Sequence, residues 1–222
     1  MGSTRFPRKP LALIQGREMI LRTLERARLA GCFDRVICAT DSEEISKIVR
    51  NAGFDTVLTP SCATGTDRVA YAAALLHLPL VVNLQGDEPV ANLELLRQVS
   101  EAILQDPGSW VTAASPLQSA DQSNPNIVKV RIEDGFAREF TRAPVTGESW
   151  SVHRGIYAYS LDALEEFDSL PQSPLERSSS LEQLRILGRR PIRIISTQSV
   201  SLSVDVPDDI LAVESFLSRS PA

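Results

Sequence analysis

Asp87 and Glu88 stand side by side within Val81-Val82-Asn83-Leu84-Gln85-Gly86-Asp87-Glu88-Pro89, just after an apolar run at residues 80–83. That run is long enough for one buried strand, and Gly86 breaks it before the two carboxylates arrive. In an α/β protein the ligand crevice opens where a buried parallel strand ends. A carboxylate at that point suits Mg²⁺, which takes one or two carboxylates and leaves other positions to substrate phosphates. The plain alternative is a polar turn, since Gly, Asp and Pro are ordinary turn residues. Residue types alone leave both readings open, and they leave Glu88 as good a ligand as Asp87.

Two other stretches could meet an anion. Residues 1–10 carry Ser3, Thr4, Arg5, Arg8 and Lys9 around Pro7 and Pro10. The prolines exclude a helix interior, so this is a loop of positive charge, hydroxyls and free N–H groups suited to a polyphosphate. A frayed, solvated terminus fits the spacing better. Thr64-Gly65-Thr66-Asp67-Arg68 places a glycine and hydroxyls at a helix start, where N–H groups face an anion or a base edge; a simple N-cap would need no ligand. Only His77 and His153 are available for imidazole chemistry, and His77, just before Pro79, reads as surface. Cys32, Cys38 and Cys62 form no CxxC pair, so neither a disulfide framework nor a zinc site is indicated.

The elements that must position these residues follow from periodicity. A short extended piece at 11–14 turns at Gln15-Gly16, and a helix follows with Met19, Ile20, Leu24, Ala27 and Ala30 inward and Gly31 as C-cap. A strand over 35–41, a helix with Ile45, Ile48 and Val49 inward, a strand over 56–59, a helix over 69–76, the strand at 80–84 and a helix over 93–104 come next. This alternation predicts a parallel sheet with right-handed crossovers. Beyond Pro107 the pattern changes: a strand at 110–114, a polar loop, then a hairpin of 127–132 and 136–142 turning at Glu133-Asp134-Gly135. A strand at 153–159, helices at 161–167 and 175–187, a strand at 192–195 and a last helix at 208–217 with Pro207 as its first residue complete the chain. No repeat, low-complexity segment or interdomain linker interrupts it.

With 222 residues, 43% of them hydrophobic and 23% charged, the chain can bury a sizeable core. A net charge of −5 argues against nonspecific nucleic-acid binding without excluding a phosphate-bearing small ligand. No apolar run approaches the about 18 residues of a membrane span, and the start has no signal-peptide apolar region, which places the protein in the cytoplasm.

In order along the chain, Ser3-Thr4-Arg5-Phe6-Pro7 with Lys9-Pro10-Leu11, Ala39-Thr40-Asp41, Gly65-Thr66-Asp67-Arg68 and Asn83 to Pro89 form a series. It continues with Asn124-Pro125-Asn126 through Val130, Phe140-Thr141-Arg142-Ala143-Pro144, His153 through Tyr159, Pro174-Leu175-Glu176, Leu181-Glu182-Gln183-Leu184-Arg185 and Val204-Asp205. Nearly end to end, the series resembles the 3-deoxy-D-manno-octulosonate (KDO) cytidylyltransferases. The resemblance implies an α/β fold of the nucleotide-diphospho-sugar-transferase type, with a mixed sheet and a β-hairpin substrate and dimer subdomain. It implies one domain, with 1–115 as the nucleotide-binding half, 116–200 as the sugar-binding and dimerisation part, and 201–222 as the metal-ligand loop and last helix. The implied reaction uses CTP and Mg²⁺ in a homodimer, with no nucleic acid and no membrane. The anomeric hydroxyl of KDO attacks the α-phosphate, giving CMP-KDO and pyrophosphate for lipopolysaccharide biosynthesis. Such transfers rest on positioning and charge neutralisation, which agrees with a chain short of histidine.

Carried over position by position, the resemblance gives Lys9 and Asp87 the catalytic roles and makes Asp87 and Asp205 the metal ligands, leaving Glu88 a supporting place. It puts Ser3, Arg5, Lys9, Gly65, Thr66, Arg68 and Gln85 on the nucleotide. Gln85, Arg142, His153, Tyr157, Glu182 and Gln183 would line the acid-sugar pocket, with Arg142 suited to pair the KDO carboxylate bidentately. For Tyr157, core packing competes with sugar contact. The family also carries an apolar strand ending in Pro-Ala-Arg ahead of its Ser-Thr-Arg loop, whereas this sequence begins at Met1-Gly2. A start upstream of Met1 is the expectation; a chain weakened in folding and triphosphate binding is the alternative. Ser179 stands where a Glu is common, Thr146 where a proline is, and the 145–152 connection is short. Two rival functions remain: a cytidylyltransferase for sialic acid or 8-amino-KDO, and an inactive nucleotide-binding module.

Overall fold

The computed structural model describes residues 6–198 and 202–219. Its elements run β1 (Leu13–Ile14), β2 (Arg17–Glu18), α1 (Met19–Ala30), β3 (Ile37–Thr40), α2 (Glu43–Asn51) and β4 (Asp55–Leu58). Then come α3 (Gly65–Leu76), β5 (Leu80–Leu84), α4 (Leu93–Gln105), β6 (Trp110–Pro116), β7 (Lys129–Glu133) and β8 (Phe136–Thr141). The last are β9 (Trp150–Ser160), α5 (Leu161–Ser169), α6 (Pro174–Ser179), β10 (Ile192–Ser196) and α7 (Asp209–Arg219). They gather into two compact units: Met1–Cys62, Leu84–Arg97 and Val200–Ala222 in one, Ala63–Asn83 and Gln98–Ser199 in the other.

In the first unit, α1 ends where Gly31 takes a left-handed conformation at φ 70°, which glycine adopts without the Cβ clash of other residues. Ile20, Leu21 and Leu24 of α1 pack with Cys38, Ile45, Val49 and Phe54. A neighbouring cluster of Ile14, Met19, Val90, Val204 and Val213 takes in Phe6. In α2, Ser42 caps by accepting from the Ile45 N–H at 3.3 Å.

The second unit is built on a six-stranded sheet in the order β5-β9-β6-β10-β8-β7. β6 and β10 are parallel, whereas β6 with β9, β7 with β8, and β8 with β10 are antiparallel. β7 also pairs with β9, so β9, β6, β10, β8 and β7 return on themselves. The mixed sheet and the hairpin with its Asp134-Gly135 turn match expectation. Trp110 is the centre of the core, edge-on to Tyr159 at 4.5 Å between ring centroids and tilted against Phe167 at 5.3 Å.

Three expectations need correction. The parallel sheet of 35–41, 56–59 and 80–84 does not form as one: among the described residues β3 and β4 pair with each other, and β5 pairs with β9. Val81 packs on the core around Trp110, which holds β5 to the aromatic strand. The helix over 175–187 is broken. Ser173 and Glu176 form a capping box that starts α6, Ser180 turns left-handed at φ 51°, and a 3₁₀ turn covers Glu182–Arg185. The reversal lets Arg185 come back onto Glu176 inside the core, a contact that one straight helix would forbid. The last helix opens at Asp209, with Pro207 in the turn just ahead of it, and the Asp209 carboxylate accepts from the Asp205 and Val206 N–H groups at 2.7 and 2.9 Å.

Candidate functional site

The turn after β5 is fixed from several sides within the first unit. A Cβ on Gly86 would lie 3.3 Å from Ile20 Cδ1, so the Ile20 side chain of α1 packs close against this turn. Thr23 Oγ1 donates to the Gly86 carbonyl at 3.2 Å, and the Val204 N–H donates to the Asp87 carbonyl at 3.0 Å. That last bond brings two segments far apart in sequence to one point. Lys9 Nζ lies 2.6 Å from Asp87 Oδ2 and 3.7 Å from Asp205 Oδ1. Asp87 and Asp205, the predicted metal ligands, therefore share one ammonium, and Asp209 holds the Asp205 backbone in place. Lys9 is no frayed terminus: its side chain is 14% exposed and opens a 3₁₀ turn, Lys9–Leu11. Gln85 is half-buried in the same turn as Asp87. Ser3 and Arg5 lie outside the described residues.

Two carboxylates that converge on one cation are a hard-oxygen donor set of the kind Mg²⁺ accepts. Among the described residues no group of three or more His, Cys, Asp or Glu side chains is arranged to hold a metal. Asp87 and Asp205 would hold such an ion through their carboxylate oxygens.

In the second unit the structure collects the remaining candidates. Thr64 caps α3 through the Asp67 N–H at 3.2 Å, leaving Gly65 exposed and Arg68 half-buried in its first turn. Thr66 is committed internally: its hydroxyl meets the Tyr159 hydroxyl at 3.2 Å, and its N–H donates to Glu182 Oε2 at 3.1 Å. Asn83 Nδ2 reaches the same Tyr159 oxygen at 3.4 Å. Tyr157 is buried, stacked on Tyr159 and tilted against His153 at 5.3 Å, so core packing accounts for its ring. Burial, and then the Glu182 carboxylate and Tyr159, push the Tyr157 hydroxyl well above the ordinary phenol range.

Arg142 donates from Nε to the Ser179 carbonyl at 3.2 Å and from Nη1 to the Asn126 carbonyl at 3.2 Å. These bonds commit Nε and Nη1 to backbone carbonyls, with Nη1 also 3.4 Å from the Pro125 carbonyl. Gln183 is 2% exposed, and among the described residues its Nε2 has no hydrogen-bond partner. A buried donor left so is costly unless a ligand completes it.

His153 is pushed down to about 3 by burial first and by Arg154 and Arg142 next, so its imidazole is neutral at neutral pH. An unfolded chain takes up this proton near the ordinary value of about 6.5, while the folded chain does not. Stability should therefore fall as pH drops from about 6 toward 3. His153→Gln should flatten that acid slope in urea midpoints measured at pH 7 and pH 4.5; an unchanged slope would remove His153 from the account.

Some residues that build the site carried no signal in the spacing. Lys129 is fully buried, its Nζ donating to the Asn124 carbonyl at 2.6 Å and the Arg142 carbonyl at 3.2 Å. Burial, then Arg142, lowers its pKa. Arg185 donates to Glu176 Oε1 at 2.6 Å and to Asp67 Oδ1 at 2.7 Å, tying α6 to the first turn of α3. In β7 the Lys129 side chain is turned inward, whereas Arg131, two residues on, is only half-buried.

The cytidylyltransferase family matches residues 1–191 of this chain. The 3-deoxy-manno-octulosonate cytidylyltransferase of Syntrophotalea carbinolica is 40% identical over 97% of this chain and 94% of its own length. The enzyme of the same name from Syntrophobacter fumaroxidans is 40% identical over 98% and 93%. A solved CMP:2-keto-3-deoxy-manno-octonic acid synthetase complexed with CTP superposes with a TM-score of 0.91 at 30% identity, over 98% of this chain and 95% of that one. A cytidylyltransferase from Leptospira borgpetersenii, at 18% identity and a TM-score of 0.69, shares the fold. With such agreement along nearly its whole length, the chain belongs to the 3-deoxy-manno-octulosonate cytidylyltransferase family.

Proposed function

We propose that this chain transfers CMP from CTP to the anomeric 2-hydroxyl of KDO, giving CMP-KDO and pyrophosphate. The observation that carries the reading is the 40% identity, over 97% of the chain, to an enzyme of that name. In the reaction the 2-oxygen forms a bond to the α-phosphorus, the bond to the bridging oxygen breaks, pyrophosphate leaves, and the hydroxyl proton passes to water. Little covalent work falls to the protein, which neutralises charge and holds the reactants in line. Lys9 would pair with triphosphate oxygens, joined by Ser3 and Arg5, while Gly65, Thr66, Arg68 and Gln85 serve the nucleoside. Thr66 would serve indirectly, since its hydroxyl is bonded to Tyr159 and its N–H orients Glu182. Mg²⁺ on Asp87 and Asp205 would offset the negative charge that builds on the phosphates. Arg142 would hold the KDO carboxylate, with Gln85, His153, Tyr157, Glu182 and Gln183 around the sugar.

The same reading makes the protein a cytoplasmic homodimer serving lipopolysaccharide biosynthesis, with 116–200 as its sugar and dimer part. No helix among the described residues is long and apolar enough to cross a membrane. A monomer mass by light scattering would refute the dimer. Pyrophosphate release with CTP and Mg²⁺ should be fastest with KDO among KDO, 8-amino-KDO and sialic acid. Equal or faster turnover of sialic acid would overturn the acceptor, and CTP binding without any turnover would favour the inactive module.

A further inference from the structure

Two ties fasten the first turn of α3 to the 3₁₀ turn Glu182–Arg185, and they leave α3 from neighbouring residues. The Thr66 N–H donates to Glu182 Oε2 at 3.1 Å, and Arg185 Nη1 donates to Asp67 Oδ1 at 2.7 Å. A 3₁₀ turn repeats every three residues, so Glu182 and Arg185 leave it on one face. With both held against α3, the rotation of that turn about its own axis is fixed. Gln183 is then carried about a third of a turn off that face. Its side-chain amide is the buried donor without a partner among the described residues. The other oxygen of Asp67 is filled as well, for Thr64 Oγ1 lies 2.8 Å from Asp67 Oδ2 and 3.2 Å from the Asp67 nitrogen. A carboxylate facing a guanidinium only accepts and an N–H only donates, so the hydroxyl proton goes to Oδ2 and a lone pair takes the N–H.

We propose that Asp67 is a positioning residue: through Arg185 it sets the 3₁₀ turn against α3, and so holds Glu182 and Gln183 in place for the acid sugar. The second half of this rests on the function proposed above. Arg185 gives its Nε and Nη2 to Glu176, which fastens it to α6, and Nη1 is the corner that meets α3. A guanidinium is planar and rigid, so holding it at two corners fixes its plane. Asp67 thus adds direction to a group whose place in the core Glu176 already secures. The Asp67 side chain is 15% exposed, against 2% for Glu176. Removing Asp67 therefore opens a partly exposed corner, where removing Glu176 would strand a buried charge. The cap of α3 survives the change as well. Thr64 still accepts from the N–H of residue 67, and the Arg68 N–H still donates to the Thr64 carbonyl at 3.3 Å.

The test compares the parent with Asp67→Ala and Asp67→Asn, read by amide hydrogen exchange and by kinetics. In Asp67→Ala the Thr66 amide should exchange about tenfold faster, because Glu182 is no longer held over it. The N–H of residue 67, capped by Thr64, should keep its rate. Unchanged Thr66 exchange would overturn the inference even in a fully active enzyme. KM for the acid sugar should rise about tenfold, with KM for CTP and the circular-dichroism spectrum unchanged. A parallel rise in both KM values would mean general loosening and would overturn positioning, as would an unmoved KM for the acid sugar. Asp67→Asn keeps an oxygen for Arg185 Nη1 and should recover most of the exchange protection and of the KM; recovery of neither would count against positioning. If Thr66 exchange quickens in Asp67→Ala while the parent does not turn over KDO, the function fails and the tie through Asp67 stands.

Discussion

Asp87→Ala should abolish pyrophosphate release, by on the order of a thousandfold or more, while the protein stays folded. The magnitude is that of removing a metal ligand where several kcal/mol of transition-state charge stabilisation are at stake. The fold should survive because the segment is held by backbone: the Asp87 carbonyl accepts from Val204, and Gly86 accepts from Thr23. Neither bond uses the carboxylate. Asp87→Asn separates shape from charge, keeping the size of the side chain and losing its negative oxygen, and should be nearly as inactive. Turnover at saturating Mg²⁺ and a circular-dichroism melt are the two readouts. Near-normal turnover in Asp87→Ala would refute the metal role, whatever the melt shows.

Arg185→Met should cost the most in folding. The Arg185 guanidinium lies 3.9 Å over the Phe167 ring and pairs with Glu176, whose side chain is 2% exposed. Removing one partner of a buried pair strands the other charge, at about 3–5 kcal/mol. Replacing both, as Arg185→Met with Glu176→Met, should recover part of that loss, because the more deeply buried Glu176 carboxylate goes too while Asp67 remains. Urea midpoints of the two single variants, the double variant and the parent decide it. A loss below about 1 kcal/mol in Arg185→Met would mean the network adds little. The same variant should also disturb turnover, because Arg185 anchors Asp67, next to the Thr66 N–H that orients Glu182.

What could be read from the chain was what depends on local spacing. The helix starting at Met19 and ending at Gly31, the hairpin at Asp134-Gly135 and the strand ending at Leu84 all declare themselves through period, cap or turn chemistry. Asp87 was visible as a carboxylate beyond a strand, but its tie to Asp205 was not, because one backbone bond from Val204 makes the pair and no periodicity encodes it. The helix misread over 175–187 failed for a like reason. Leu181, Leu184 and Leu187 do recur at helical spacing, yet the Glu176–Arg185 pair needs the left-handed step at Ser180.

Lys129 turns the hairpin into a molecular stopwatch. The lysines of this chain are Lys9, Lys47 and Lys129, and Lys47 is exposed while Lys129 has no surface at all. An acylating reagent meets the Lys129 amine only when the Asn124 and Arg142 carbonyls let go, that is, when β7 and its loop open. Its slow modification, timed against that of Lys47 in the same sample, therefore reads how often the acid-sugar side of the protein breathes, with no label introduced.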